Sequence, residues 1–242
     1  MKRMIETLFC LVVIVLFHSC MKSVRHTSSL VTHYFEMKNV IATDVDENGW
    51  HRISIGFMPD YTTMCCVWDG GEKKKIFDKL SKSYGDTYYN REVEWEYQTI
   101  GVCIQHISKV DVVSNRDFDS LHPAGTSLSD VVYFYGSTPY PCVASGYRDY
   151  FILLDSLPFP KENPVYQSAV AYNDYKDQPS DPNPFFPIYK RLSDMTENDY
   201  VMVVSCVLFF TSKPEGEQTH TLTVTLTTTE GEQFSDEVVY TF

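Results

Sequence analysis

The sequence predicts a mainly β protein: an immunoglobulin-like antiparallel β-sandwich with one or two short helices and a long proline-rich loop. Several segments alternate apolar and polar residues with the two-residue period of a strand, and the last segment has the pattern of a hairpin. Aromatic residues make up 14% of the chain, which favours strands because rings pack well on a pleated surface. With 242 residues, the chain is long enough to bury a core without disulfides or metals.

The first half of the chain contains strand-like segments on either side of one short helix. The segment 50–58 alternates most clearly, since Ile53 and Ile55 fall on one face. Apolar residues at positions 76, 77 and 80 follow helical spacing, and they predict a helix that ends near Gly85. Further strands are expected within residues 30–41, 62–68 and 92–114.

The second half begins with a stretch rich in proline and ends with two strand regions. Residues 155–199 contain many of the prolines, which cannot donate to a sheet ladder, so we expect a long ordered loop and no central strand. Residues 200–210 are almost wholly apolar and predict a strand covered on both faces.

The last segment, residues 219–242, predicts a hairpin. Leu222, Val224 and Leu226 alternate with threonines and are expected to point inward, and Glu230-Gly231 is expected to form the turn. A hairpin of this kind near the end of a β domain is typical of an immunoglobulin-like sandwich.

The N-terminus has the pattern of a bacterial lipoprotein leader. A basic start is followed by the apolar run Leu8–Phe17, which is shorter than the roughly 20 residues that a membrane-spanning helix needs. The run ends at Phe17-His18-Ser19-Cys20, which resembles a lipobox, the motif that directs lipid onto a cysteine thiol. We predict a signal peptide at 1–19, a lipidated tether at 20–29 and one β-sandwich domain at 30–242. The alternative is an ordinary secretory leader with an unmodified cysteine.

This leader and the charge of the chain indicate where the protein resides and what it contacts. Fatty acyl chains such as palmitate on Cys20 make membrane lipid the first expected partner, and several chains together give firm anchoring. The expected location is the bacterial cell envelope, at the outer membrane. A basic tether without acidic residues favours its periplasmic face. The net charge of −12 repels polyanions, so no nucleic-acid partner is expected.

The cysteines that follow the predicted lipidation site do not suggest a disulfide or zinc framework. Five remain, an odd number that cannot all pair, and no CxxC motif occurs. We interpret them as small buried apolar residues. They are Cys65, Cys66, Cys103, Cys142 and Cys206.

No motif in the sequence predicts a catalytic residue, a metal or a cofactor. The stretch 44–49, Asp-Val-Asp-Glu-Asn-Gly, matches the opening of a calcium loop, but Ile55 stands where that loop needs a bidentate glutamate. A β-turn between two strands is therefore the preferred interpretation. A Ser/His/Asp site assembled from distant loops stays open, because such triads are defined by geometry.

Aromatic residues beside prolines are the candidate ligand contacts. Rings on exposed loops can stack on a sugar face, although anchoring of a loop onto the core explains the same pattern. The four candidates are Tyr140, Phe185, Phe186 and Tyr189.

One central segment resembles a pattern in small cell-envelope lipoproteins of gut Bacteroidetes. The pattern there is I-x-S-x-x-D-F-D, then A-G-x-S-L-x-D. It is matched here by Ser114, Asp117, Phe118, Asp119, Ala124, Gly125, Ser127, Leu128 and Asp130. The C-terminal hairpin is similar too. The resemblance implies an envelope lipoprotein with no assigned activity, and it carries over no catalytic residue. From the residues themselves, we expect a turn at Pro123-Ala124-Gly125 followed by a short helix.

We therefore predict a cell-envelope lipoprotein that acts as a non-catalytic binding or scaffolding module for an outer-membrane protein or a glycan. The alternative is an envelope hydrolase with a dispersed Ser/His/Asp or carboxylate site. A pocket that holds a histidine beside aspartate and serine would favour the hydrolase.

Overall fold

A computed structural model describes residues 24–47, 50–94, 99–148 and 184–242. The described residues form a mainly β fold of several antiparallel sheets in a sandwich-like arrangement, so the predicted fold class is confirmed. The strands are β1 Val24–Thr27, β2 His33–Phe35, β3 Met37–Glu47, β4 Trp50–Pro59, β5 Cys65–Cys66, β6 Arg91–Glu94, β7 Gly101–Cys103, β8 Ile107–Ser114, β9 Val132–Thr138, β10 Phe186–Arg191, β11 Ser205–Phe210, β12 Thr219–Thr228 and β13 Gln233–Thr241. The helices are α1 Gly71–Tyr84 and α2 Tyr140–Ala144, with 3-10 helices at Leu192–Asp194 and Glu197–Tyr200.

Two antiparallel sheets form the sandwich. The larger sheet has the strand order β10-β9-β11-β4-β3, and the smaller has the order β13-β12-β8. The two sheets are joined where β3 runs beside β13, because the Ala42 N–H donates to the Asp236 carboxylate at 2.9 Å.

The C-terminal hairpin supplies one wall of the main core. Leu222, Val224 and Leu226 of β12 are fully buried, as the alternation predicts. Gly231 makes the turn with a positive φ of 85°, a conformation that glycine adopts without steric cost. Val238 on β13 is buried as well, so the predicted hairpin is confirmed.

The larger sheet supplies the opposite wall of this core. Ile53 and Ile55 of β4 are buried side by side, which confirms the face predicted for residues 50–58. Phe134 of β9 and Leu208 of β11 fill the space between them and the hairpin.

A second core lies under a separate three-stranded sheet of order β5-β2-β7, which we call the small sheet. In it β2 pairs parallel with β7 and antiparallel with β5. Helices α1 and α2 cover this core, in which Tyr34, Phe77 and Val143 are buried. Helix α1 ends at Gly85, whose φ of 76° is the left-handed C-cap that the sequence predicts.

The small sheet marks one end of the sandwich, which we call the near end. Strand β8 starts just after β7 and runs away from the small sheet to Ser114. Eight strand residues span about 26 Å. The loop that follows β8 therefore lies at the opposite end, which we call the far end.

In three segments the structure differs in detail from the sequence prediction. Only Cys65–Cys66 pairs within 62–68, because Asp60 and Asp69 turn the flanking backbone. Residues 200–210 are not one strand, since Met202 takes a positive φ of 55° and β11 begins only at Ser205. Within 155–199 the described part contains β10, whose Pro187 is accommodated because β10 has one neighbour, β9, among the described strands.

The first described residues are part of the fold. Strand β1 pairs antiparallel with β6 over four residue pairs, from Val24 opposite Glu94 to Thr27 opposite Arg91. Thr27 and Ser29 are buried. Residues 24–29, assigned from sequence to the tether, therefore pack on the domain, and the predicted signal peptide and Cys20 lie outside the described residues.

Candidate functional site

Three aromatic rings pack together on the outer side of the larger sheet. Tyr133 of β9, Tyr189 of β10 and Phe209 of β11 have ring centroids 4.8 to 5.8 Å apart and nearly parallel planes. The Arg191 Nε–H donates to the Tyr133 hydroxyl at 3.1 Å, and its guanidinium lies over the Tyr133 ring. We call these four residues the aromatic face.

Strand alternation places the aromatic face on the outside. In β9 the neighbours Val132 and Phe134 are buried, so Tyr133 points the other way and is partly exposed. The same outer side of the sheet carries Ile41 and Met58, both close to 40% exposed. The same side also carries Ser54, Ser137 and Ser205, so the aromatic face is an apolar cluster within a mixed surface.

The outer side of the smaller sheet has the opposite character. Its central strand, β12, presents a row of partly exposed threonines, because Leu222, Val224 and Leu226 point inward. The flanking strands add Lys109 and Glu237 to the same side. A polar side of this kind is the usual solvent-facing surface of an antiparallel sheet.

The four aromatic residues predicted as ligand contacts do not form one site. Tyr189 alone belongs to the aromatic face. Phe185 and Phe186 pack against the core under the small sheet, as the loop-anchoring interpretation expects. Tyr140 begins helix α2, where its ring is 38% exposed. The sequence analysis missed Tyr133 and Phe209, whose only signal is an aromatic residue at an outward position of an alternating strand.

The segment that resembles envelope lipoproteins forms a compact loop at the far end, which we call the motif loop. Its aspartates accept hydrogen bonds from the loop backbone: Asp117 from the Ala124 N–H at 2.7 Å, and Asp119 from the Leu121 N–H at 2.8 Å. Phe118 is buried at the centre of this loop. The motif residues therefore build a loop structure.

The turn predicted inside the motif loop is confirmed, but the prediction of a short helix after it is wrong. Gly125 has a φ of 83°, and the Thr126 N–H donates to the Pro123 carbonyl at 3.1 Å. Ser127 does not cap a helix, because its hydroxyl donates to Asp111 at 2.5 Å. The Leu128 N–H then donates to the Val112 carbonyl, so the chain stays extended beside β8.

A serine and a histidine contact each other below the motif loop. Such a contact is one part of the Ser/His/Asp arrangement that a hydrolase would need. The Ser114 hydroxyl lies 2.7 Å from His220 Nδ1, and His220 Nε2 lies 2.8 Å from the Glu217 carbonyl. Nε2 must donate to that carbonyl, so Nδ1 accepts from the serine. Both residues are at most 2% exposed, and a backbone carbonyl takes the place of the acid. The pair is sealed from any substrate.

His122 is the second histidine held by the motif loop. Its Nδ1 lies 2.7 Å from Asp119 Oδ1 and its Nε2 lies 2.9 Å from Asp130 Oδ1. Burial alone would lower the pKa of the ring, but the hydrogen bonds and charges of the two aspartates outweigh it and raise the pKa above 6.5. Both ring nitrogens are occupied, so His122 stabilises the loop as an imidazolium between carboxylates.

We expect His122 to make stability pH-dependent. Because its folded pKa is raised, its contribution is complete below the unfolded value of 6.5 and is lost as pH rises through the folded pKa. Urea unfolding of the wild type and of His122→Gln at a series of pH values measures this difference. The difference in free energy of unfolding between the wild type and the variant should be largest at about pH 6 and should shrink toward about pH 9. A His26→Gln variant, at an exposed position of β1, is the control for loss of a histidine elsewhere in the fold.

A buried carboxylate joins the segment after β1 to the end of α1. Asp86 is fully buried, and it accepts hydrogen bonds from the Leu30 and Val31 N–H groups at 2.7 and 2.8 Å. The Tyr147 hydroxyl donates to the same carboxylate at 2.6 Å. Burial raises the pKa of Asp86, although these three donors act in the other direction. We call Asp86 and its three donors the Asp86 clamp.

The two aspartates of the calcium-like stretch and the five cysteines all belong to strands or helices. Asp44 and Asp46 lie on strand β3, paired with Ile53 and His51 of β4, where they cannot open a calcium loop, and the turn predicted at 48–49 lies outside the described residues. No three His, Cys, Asp or Glu side chains in the described ranges converge to hold a metal ion. The five cysteines are free thiols; Cys66 and Cys103 are partly buried and the other three are buried. Burial raises the pKa of Cys206, which makes it a poor nucleophile.

Comparisons with protein-family models, with curated proteins and with solved structures find no match to this chain. None of the helices in the described part of the chain is both long and apolar enough to cross a membrane.

Proposed function

We propose that the protein is a non-catalytic binding module of the bacterial cell envelope, anchored by acyl chains on Cys20, and that it binds a partner protein through the aromatic face. The lipobox-like leader supports the anchor, and the aromatic face supports the binding role. The observation that carries the proposal is the contrast between the two outer sides of the sandwich. One side is lined with threonine, and the other packs three rings together with an arginine over one of them.

The composition of the aromatic face suits a protein interface. Tyrosine, phenylalanine and arginine are enriched at interface centres, where large rings contribute area and arginine adds directional hydrogen bonds. The Arg191 guanidinium is exposed at its strand edge and has donors beyond the Nε–H that Tyr133 accepts. A partner that offers apolar side chains beside a carboxylate would match both features.

The ring geometry favours a protein over a glycan. Sugar binding by stacking needs a ring face turned to solvent. Here Tyr133 packs against Tyr189 and Phe209, and the guanidinium of Arg191 lies over the Tyr133 ring, so groups of this chain already pack on that ring.

The hydrolase alternative gains no support from His220 or His122. The Ser114–His220 pair is buried in the core, and His122 has both ring nitrogens bound by aspartates. Neither arrangement places a nucleophile at an accessible surface.

Capture of partners from the solubilised envelope of the source bacterium tests this proposal. Tagged wild type is compared with a Tyr133→Ser/Phe209→Ser double variant and with a Thr221→Ala/Thr223→Ala control on the polar side. Loss of interface anchors should reduce the recovery of a specific partner about tenfold in the double variant only. Thermal unfolding verifies that all three proteins are folded. Equal recovery by both variants would contradict the proposal, and binding on a glycan array without a protein partner would replace it by the glycan alternative.

A further inference from the structure

The start of the fold lies close to the predicted lipid anchor. Four residue steps separate Cys20 from Val24, the first residue of β1. An extended chain covers at most about 3.6 Å per residue, so Val24 lies within about 14 Å of the acylated residue. Whatever surface surrounds β1 is therefore held at the bilayer, provided that Cys20 is lipidated as proposed.

Strand β1 is an integral part of the domain. Strand β1 is paired with β6, and the Tyr89 N–H donates to the Ser28 carbonyl at 2.9 Å. The Asp86 clamp then holds Leu30 and Val31. Because β1 is built into the domain, the surface around β1 is the part of the domain nearest the predicted anchor.

The surface around β1 combines aromatic rings with arginines. The Arg25 guanidinium lies 5.6 Å from the Trp68 ring centre, and the Arg91 guanidinium lies 5.2 Å from that of Tyr89. The Trp68 Nε1–H donates to the His26 carbonyl, which ties the ring to β1. Tyr88 is 79% exposed next to them.

We propose that this surface, formed by Arg25, Trp68, Tyr88, Tyr89 and Arg91, rests in the phospholipid headgroup layer. Tryptophan and tyrosine concentrate at membrane–water interfaces, because their apolar rings and polar tips match that layer. Arginine reaches phosphates from the same depth. The two strands also contain two acids, Glu92 and Glu94, which Arg25 and Arg91 offset, so the ribbon does not share the net charge of −12 that would repel an anionic membrane.

This orientation sets what the rest of the domain faces. The small sheet stands next to the membrane, and the motif loop at the far end points away from it. Tyr133 and Phe209 lie toward the ends of their strands nearest the far end, so the aromatic face stays accessible to a partner. The inference thus rests on the proposed anchor, and it adds a second, lipid-facing surface to the protein.

Tryptophan quenching by brominated lipids tests the orientation. The acylated full-length protein is placed on vesicles of phosphatidylethanolamine and phosphatidylglycerol, with and without bromine on acyl carbons near the headgroup. Two variants each add one tryptophan at an exposed site: Tyr88→Trp, and Leu121→Trp in the motif loop, where Leu121 is 82% exposed. The added signal is the fluorescence of each variant minus that of the wild type. We expect bromine to lower it about twofold or more for Tyr88→Trp and hardly at all for Leu121→Trp.

The same samples separate failure of the orientation from failure of the anchor. Equal quenching of the two added tryptophans in protein that floats with the vesicles would overturn the orientation and leave the anchor intact. Acylated wild type that does not float would contradict the anchor, and the lipid-facing surface with it.

Discussion

Replacing Phe118 by alanine should lower the free energy of unfolding by about 3–5 kcal/mol, the range for a large ring removed from a rigid core. Phe118 is 1% exposed and packs against the rings of Phe210, Phe242 and His220 at 5.4 to 6.3 Å. Its backbone also holds the loop, because its N–H donates to the His122 carbonyl and its carbonyl accepts from the Glu215 N–H. Removal of the ring would therefore leave a cavity where the motif loop closes the far end of the sandwich.

Urea unfolding of Phe118→Ala beside Leu121→Ala measures this effect. Leu121 sits in the same loop but is 82% exposed, so its truncation should cost less than about 0.5 kcal/mol. Similar losses for the two variants would mean that the motif loop does not close the core.

Replacing Asp86 by alanine should lower the free energy of unfolding by about 3 kcal/mol or more, because several donors lose their acceptor at once. The Leu30 and Val31 N–H groups are buried and would have no acceptor, and the Tyr147 hydroxyl would lose its partner. A buried donor left without a partner costs about 1–3 kcal/mol.

A graded series makes this prediction specific to hydrogen bonding. Tyr147→Phe removes one donor and keeps the carboxylate, so it should cost about 1 kcal/mol. Asp86→Asn keeps one acceptor oxygen but sets its NH₂ group against a backbone N–H, so it should fall between the other two. Chemical denaturation gives the order. A loss for Tyr147→Phe equal to that for Asp86→Ala would contradict the prediction, because it would mean that the Tyr147 hydroxyl alone accounts for the clamp and that the bonds to the Leu30 and Val31 N–H groups contribute little.

Local patterns in the sequence were sufficient for the sandwich core. The alternation of Leu222, Val224 and Leu226 and the turn at Gly231 depend only on neighbouring residues, and so does the helix that ends at Gly85. Such features are visible in one sequence because strand and helix periods are local properties.

Features that depend on distant partners were not visible. The parallel pair of β2 and β7 joins residues nearly 70 positions apart, and the helix expected after Gly125 gives way to contacts of Ser127 and Leu128 with β8. The aromatic face was missed for the same reason. Tyr189 was predicted on a loop, whereas its partners Tyr133 and Phe209 come from other strands of the larger sheet.

The acyl anchor on Cys20 is the central claim, since both the envelope location and the membrane-facing surface depend on it. The most direct measurement is mass spectrometry of the mature N-terminal peptide, together with membrane fractionation of the wild type and of Cys20→Ala. We expect a mature chain that begins at Cys20 and carries the mass of fatty acyl chains on that residue. The Cys20→Ala protein should carry no acyl chains and should move out of the membrane fraction. A mature protein that begins elsewhere, with an unmodified Cys20 thiol and unchanged partition of Cys20→Ala, would contradict the account.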